Sequence, residues 1–300
     1  MATKLTTREA VNAFIDRHDT FLFDCDGVLW YGHTLIPGVD KTLELLRRKG
    51  KRILFVTNNS TQSRQAYTKK FEKLGLSASK NEIFGSSYAA AVYLRKVVDF
   101  PVDKQVYVIG QAGICDELDA ASIRHNNPAD DSSTIDWEGV EAITPDPNIG
   151  AVLVGFDMEI NYRKLAKAYV YLTSNPGCLF LATNDDASFP HHGRTFPGTG
   201  SMVAAIKGCT GREPRVLGKP HQTMLDCIVA KYDLDRTRTC MVGDRLNTDI
   251  QFGVQGGMST LLVLTGVTSE QELHDARHNI TPEYYADSLA TLNMADTADE

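Results

Sequence analysis

Short runs of four to six mostly apolar, β-prone residues punctuate the chain at 20–23, 52–56, 105–109, 150–154, 178–182, 239–242 and 260–264. Continuous apolar runs of this length suit strands buried on both faces, which is the signature of a parallel sheet. Between them lie helical patterns. Val39, Leu43 and Leu46 fall at i, i+4 and i+7, and the stretch ends in basic residues and Gly50, a credible stop. Residues 60–74 repeat that design and close on Gly75. Strand, helix, strand along the chain predicts an α/β fold with crossover helices on a Rossmann-like parallel sheet. One stretch breaks the rhythm: 126–148 is polar, acidic and rich in Pro, Asp and Ser, and is read as a solvated surface excursion.

Composition narrows the class without changing the fold. With 300 residues, 42% apolar and 23% charged, the chain is ordinary for a globular protein of about two domains. Thirty-one basic against 38 acidic residues leave a net charge of −7, which repels phosphate backbones, so no nucleic-acid partner is expected. No apolar run reaches the roughly 20 residues that span a bilayer, and the N-terminal text lacks a long apolar leader segment; a cytoplasmic protein without a membrane partner is expected. The six cysteines, including Cys25, form no CxxC pair and read as reduced thiols.

In an open α/β sheet, ligands bind beyond the carboxyl ends of the strands. Polar residues just after an apolar run are therefore the first candidates for chemistry. FLFDCDGVLW places Asp24 at a strand end and Asp26 two residues on, so that both can project to one side, while Gly27 lets the chain turn. Alone the pair is equally a turn. A calcium loop fails, because the fifth and sixth positions counted from Asp24 are Val28 and Leu29. RILFVTNNS runs a strand into Thr57, Asn58, Asn59 and Ser60, which is an anion site or an ordinary helix cap. TCMVGDRLNTD delivers Asp244 and then Asp249, oxygen donors of the kind Mg²⁺ prefers. VLGKPH sets Lys219 before a proline, which keeps it extended. A lone lysine there would mean little.

The order of these four features is what makes them specific. DxDGV, T-N-N, G-K-P and G-D-x(4)-D together resemble the haloacid dehalogenase superfamily. The surrounding text, DCDGVLW, GKRILFVTNNST, VGFD, ATNDD, PGTGSM, LGKP and MVGDRLNTDI, resembles the phosphoglycolate phosphatase and para-nitrophenyl phosphatase family over most of the chain. That resemblance implies that Asp24 is the nucleophile and Asp26 the acid and base of a Mg²⁺-dependent phosphatase working through an aspartyl-phosphate. It implies phosphate binding by Thr57 and the Asn58 backbone with Asn59 nearby, charge neutralisation by Lys219, and Mg²⁺ ligation by Asp24, the Asp26 carbonyl and Asp244, with Asp249 orienting its waters. Asp26 separates phosphatases from dehalogenases, whose halide leaves without a proton; a phosphomutase would keep both acids.

The interval from Ser60 to Lys219 is far longer than one helix, strand and helix require. The family implies an inserted α/β cap domain at 91–194 within a core of residues 1–90 and 195–300, and a cap loop at 184–190 that carries Asp186 and Phe189 over the active site. His191 and His192 read as surface residues. The implied substrate is a small phosphorylated metabolite, 2-phosphoglycolate first, with para-nitrophenyl phosphate as a generic ester. A pyridoxal phosphate phosphatase is the nearer alternative, although that relative presents a histidine where this chain has Phe189. A non-catalytic phospho-ligand sensor is the alternative of another class, and the intact acids and Lys219 count against it. Cap-mediated homodimers occur in the family, so a dimer is expected.

Overall fold

A computed structural model describes residues 2–191, 194–275 and 279–296. The reading of His192 lies outside the described residues, as does the side chain of His191. The chain divides into two compact units: Met1–Thr57, Thr68–Phe84 and Lys219–Glu300 form one, and Asn58–Tyr67 with Gly85–Gly218 form the other.

In the first unit a seven-stranded sheet runs in the order Thr3–Lys4, Tyr284–Ala286, Ser259–Val263, Thr239–Gly243, Thr20–Phe23, Arg52–Thr57, Ile83–Gly85. Pairing is parallel from Thr3–Lys4 through to Arg52–Thr57. The apolar runs are continuous because these strands are covered on both faces: Phe21, Leu22, Phe23, Cys240, Met241 and Val242 are all fully buried. From the Thr20–Phe23 strand the chain adds neighbours on one side, then returns from the long insertion to add Thr239–Gly243 on the other. That reversal creates a switch point beside the carboxyl end of Thr20–Phe23, where α/β sheets bind ligands. Val242 lies opposite Phe23 in the ladder, so Asp24 and Asp244 leave adjacent strand ends together.

The helices follow their sequence signals with one informative exception. Val39–Arg48 buries Val39, Leu43 and Leu46 as the periodicity requires, and Gly50 closes it in the left-handed region at φ 71°. The second predicted helix, 60–74, starts only at Arg64 and runs to Lys73. The polar residues ahead of it bond locally instead: the Asn59 side-chain oxygen accepts from both the amide and the hydroxyl of Thr61, and Ser63 Oγ accepts from the Ala66 amide. Short polar side chains compete with the helical ladder in this way.

In the second unit a five-stranded sheet runs Arg215–Val216, Leu179–Ala182, Ile149–Val154, Gln105–Ile109, Arg124–His125, all parallel. Its core gathers Tyr107, Ile109, Val152, Val154, Phe180, Val203, Ile206 and Val216. Val203 and Ile206 belong to the helix Thr199–Thr210, and Val216 to the edge strand Arg215–Val216, so chain well past residue 194 packs in this unit. Its limits at Gly85 and Gly218 therefore differ from the expected 91 and 194. The excursion 126–148 is not wholly a solvated face. Asp131 is 5% exposed, and its carboxylate accepts from the Tyr107 hydroxyl at 2.9 Å and from Lys167 Nζ at 2.6 Å. Periodicity could not reveal this, because the partners come from two other elements.

Candidate active site

At the switch point, Lys219 meets acids from two of the other sequence features of the first unit. Lys219 Nζ donates to Asp24 Oδ1, to Asp249 Oδ1 and to the Val56 carbonyl, each at 2.7 Å. Burial alone would lower its pKa, but Asp24 and Asp249 more than offset that and hold the ammonium above its ordinary value. Lys219 is 1% exposed, and such a cation is tolerable only among partners of opposite charge.

Carboxylates outnumber that cation. Asp24, Asp244 and Asp249 each offer an oxygen within 4.8 Å of the others'. Burial pushes the Asp24 carboxyl up to about 7 against the pull of Lys219, with Asp249 adding to the rise. Asp244 is raised well above its ordinary value, again first by burial and then by Asp249 and Asp24. Three acids against one lysine leave a charge that a divalent cation would balance, and hard oxygen donors are what Mg²⁺ takes. The chemistry of the donor set thus fits the ion expected there.

The surrounding backbone is shaped to these carboxylates. A Cβ on Gly266 would fall within bonding distance of Asp244 Oδ2, and one on Gly27 would sit 2.6 Å from it. Gly27 also lies at φ 84°, a region that side chains disfavour. Asp244 Oδ2 accepts from the Val267 amide at 2.7 Å, and Thr265 Oγ1 donates to the Gly27 carbonyl at 2.7 Å. Asp249 stands on a π-helical turn, Leu246–Ile250, and its Oδ2 accepts from the Asp244 and Arg245 amides, both at 3.2 Å. Both oxygens of Asp249 are engaged within the protein.

Asp26 stands apart from this group. Its side chain is 44% exposed, and Oδ1 accepts from Trp30 Nε1 at 2.9 Å with Lys70 Nζ at 3.8 Å. Cys25, between the two acids, is fully buried, and burial first, then Asp24 and Asp26, raises its thiol pKa well above the ordinary value. Peroxide reacts with exposed thiolates, so the redox sensitivity that its position invites is opposed by its surroundings.

Thr57 ends the Arg52–Thr57 strand and is 2% exposed. In the second unit, Asn58 and Asp186 meet although 128 positions apart: Asn58 Nδ2 donates to the Asp186 carboxylate at 3.1 and 3.3 Å. The Asn58 carbonyl accepts from Ser86 Oγ at 2.6 Å and from Asn184 Nδ2 at 2.8 Å. Phe189 sits in the hairpin of Ser188–His191 and Arg194–Pro197, its ring 5.2 Å from Phe156 and 6.1 Å from Phe196. The Asn59 side-chain oxygen is taken by Thr61 in the turn described above.

Sequence reasoning passed over Trp30, Lys70, Thr265, Gly266 and Val267. Thr265 follows the apolar run of the Ser259–Val263 strand, so the strand-end rule that found Asp244 would have found it too, whereas Gly266 and Val267 are not polar. Trp30 and Lys70 carry no such signal.

Two adjacent strand ends presenting a lysine-bound carboxylate and further acids at a switch point suit phosphoryl transfer on a doubly wound sheet. The comparisons agree. The model of haloacid dehalogenase-like hydrolases matches residues 21–124, and a HAD-hydrolase-like model matches 216–292. The chain is 47% identical to a 4-nitrophenylphosphatase of Schizosaccharomyces pombe over 99% of this chain and 100% of that one. It is 48% identical to phosphoglycolate phosphatase 2 of Arabidopsis thaliana over 97% and 98%. Among solved structures, a glycerol phosphate phosphatase of Mycobacterium tuberculosis in complex with magnesium superposes with a TM-score of 0.76 at 30% identity, over 93% of this chain and 77% of that one. The chain belongs to the haloacid dehalogenase-like hydrolases. Within them it is a phosphoric monoester hydrolase for small phosphate substrates. Among the described residues, no helix is long and apolar enough to cross a membrane.

Proposed function

We propose that this protein hydrolyses 2-phosphoglycolate through an aspartyl-phosphate on Asp24, with Mg²⁺ as cofactor. The observation that carries the mechanism is the contact of Lys219 with Asp24 beside Asp244 and Asp249. Lys219 holds the Asp24 carboxylate by one oxygen, which reduces the repulsion between that anion and an incoming phosphate. The second oxygen of Asp24 forms the bond to phosphorus. As the ester P–O bond breaks, its electron pair stays on the leaving oxygen, which takes a proton from Asp26. Asp26 then accepts a proton from water, whose oxygen attacks phosphorus and returns Asp24 as a carboxylate. The Thr57 hydroxyl and the Asn58 amide hold the phosphoryl oxygens, with Asn59 beside them. Asp24, Asp244 and the Asp26 carbonyl would hold Mg²⁺, with Asp249 outside them, and the ion would supply positive charge to draw the phosphoryl group toward Asp24.

The substrate assignment is supported by the Arabidopsis relative, whose name carries phosphoglycolate at 48% identity. Glycerol phosphate ranks second, on a Gallus gallus relative named for glycerol 3-phosphate at 41% identity. The test is phosphate release from 2-phosphoglycolate, glycerol 3-phosphate, pyridoxal phosphate and 4-nitrophenyl phosphate, with Mg²⁺ or with a chelator. The highest kcat/KM is expected for 2-phosphoglycolate, with activity lost to the chelator. A higher value for another metabolite overturns the substrate, and no turnover of any ester would leave a sensor.

A further inference from the structure

The geometry points to Trp30 as a positioning residue that fixes the Asp26 carboxyl for proton transfer, through a hydrogen bond to one of its two oxygens. The inference rests on the proposed reading of Asp26 as acid and base, and deepens it.

Asp26 has an unusual problem for a group that must deliver a proton to one atom. It lies at a turn with its side chain nearly half exposed, so nothing in its own burial selects a rotamer. Catalysis nevertheless needs the acid held near its productive geometry. Trp30 can provide this because it is immobile. Its side chain is fully buried, with its ring edge-on to Phe71 at 4.9 Å. Its backbone is tied to the same turn, since Trp30 pairs with Leu35 in a short hairpin and its carbonyl accepts from the Gly27 amide at 2.9 Å. The Nε1–H is thus a fixed donor four residues from the acid, and it meets Oδ1 at 2.9 Å.

Lys70, from the helix Arg64–Lys73, closes the arrangement. Its ammonium lies 4.2 Å from the centroid of the indole ring and 3.8 Å from the same oxygen, Oδ1. Both contacts therefore fall on one oxygen of the carboxyl. Trp30 and Lys70 consequently fix the carboxyl through Oδ1 and leave Oδ2 for the exchange with the leaving oxygen and with water.

Packing and chemistry separate in the variant Trp30→Phe, which keeps a ring against Phe71 and removes only the N–H donor. kcat/KM is measured for 2,4-dinitrophenyl, 4-nitrophenyl and phenyl phosphates and for an alkyl phosphate, in wild type, Trp30→Phe, Lys70→Gln and Asp26→Asn. The dinitrophenyl ester leaves without help, so Trp30→Phe should keep its kcat/KM within about twofold while losing about tenfold or more on the alkyl ester. Lys70→Gln should tilt the series in the same direction by less, and it stands in should Trp30→Phe fail to fold. An equal fall on all four esters, or no fall on any, overturns the positioning role. Should Asp26→Asn itself show no dependence on the leaving group, the acid–base reading fails beneath it. If Asp26→Asn shows that dependence and Trp30→Phe does not, only the positioning role falls.

Discussion

At the scale of the residue, the active site is a compromise between burial and charge, and Asp24 carries most of it. Its carboxyl is pushed up to about 7 from an ordinary 3.8, chiefly by burial. A carboxyl with a raised folded-state pKa keeps its proton in the folded protein between about pH 4 and 7, where the unfolded chain has released it. Its favourable contribution is therefore complete below about pH 4 and lost as the pH rises through 7. Asp24→Asn removes that cost along with the proposed nucleophile. It should lower turnover by roughly a thousandfold or more, and yet raise the melting temperature of the metal-free protein at pH 8, with little change at pH 5. Thermal melts in chelator at the two pH values, beside a turnover assay, check both parts. Normal turnover by the Asp24→Asn variant is incompatible with the covalent route. Cys25 shows the opposite balance: the carboxylates beside it and its complete burial keep the thiol protonated, so its place in the motif is better explained by packing behind the strand.

At the scale of the element, loops after adjacent strands hold the carboxylates, and glycine allows them to come this close. The loop after Ser259–Val263 presses Gly266 against Asp244 and donates the Val267 amide to the same carboxylate. Gly266→Ala would place a methyl group within bonding distance of Asp244 Oδ2, so the carboxylate has to shift. Displacing a metal ligand or its support typically costs about 10–100-fold in metal affinity. The Mg²⁺ concentration for half-maximal activity should rise by about that factor, while saturating Mg²⁺ recovers part of the rate. Unchanged Mg²⁺ dependence in a folded Gly266→Ala variant would show that Asp244 does not serve as a ligand. The π-helical turn that carries Asp249 serves a similar end, because it directs two backbone amides at one carboxylate oxygen.

At the scale of the whole molecule, the cluster of acids links stability to the cation. Asp24 and Asp244 both resist ionisation in the folded, metal-free protein, so that form loses stability toward alkaline pH. A bound cation requires them ionised and reverses the penalty. Mg²⁺ should therefore raise the melting temperature more at pH 8 than at pH 5. Ca²⁺ should stabilise as well, but inhibit, because it takes more oxygen ligands at longer distances than Mg²⁺ and can occupy both oxygens of the nucleophile. Melting curves and initial rates with each ion test the pair of outcomes. Equal support of activity by Ca²⁺ contradicts the geometric reason.

The apolar runs along the chain were sufficient to determine the parallel sheet, because strands covered on both faces must be apolar at every position. The ends of the same runs singled out Asp24, Thr57 and Asp244, because such sheets bind ligands beyond their strand ends, whereas Lys219 came from the order of the motifs. Their order along the chain also carried the family. The edge strands Thr3–Lys4 and Ile83–Gly85 and the inner strand Tyr284–Ala286 were not legible, being too short to show any period. Nor were the contacts of Trp30 and Lys70 with Asp26, of Asn58 with Asp186, or of Gly266 with Asp244. All but the Trp30–Asp26 bond, which the fold of one turn decides, join residues from different elements, and a sequence records the residue type at each place but not which distant place it will face. Only the packed structure brings those partners into contact, and with them the orientation of the Asp26 carboxyl and the close fit of Gly266 to Asp244.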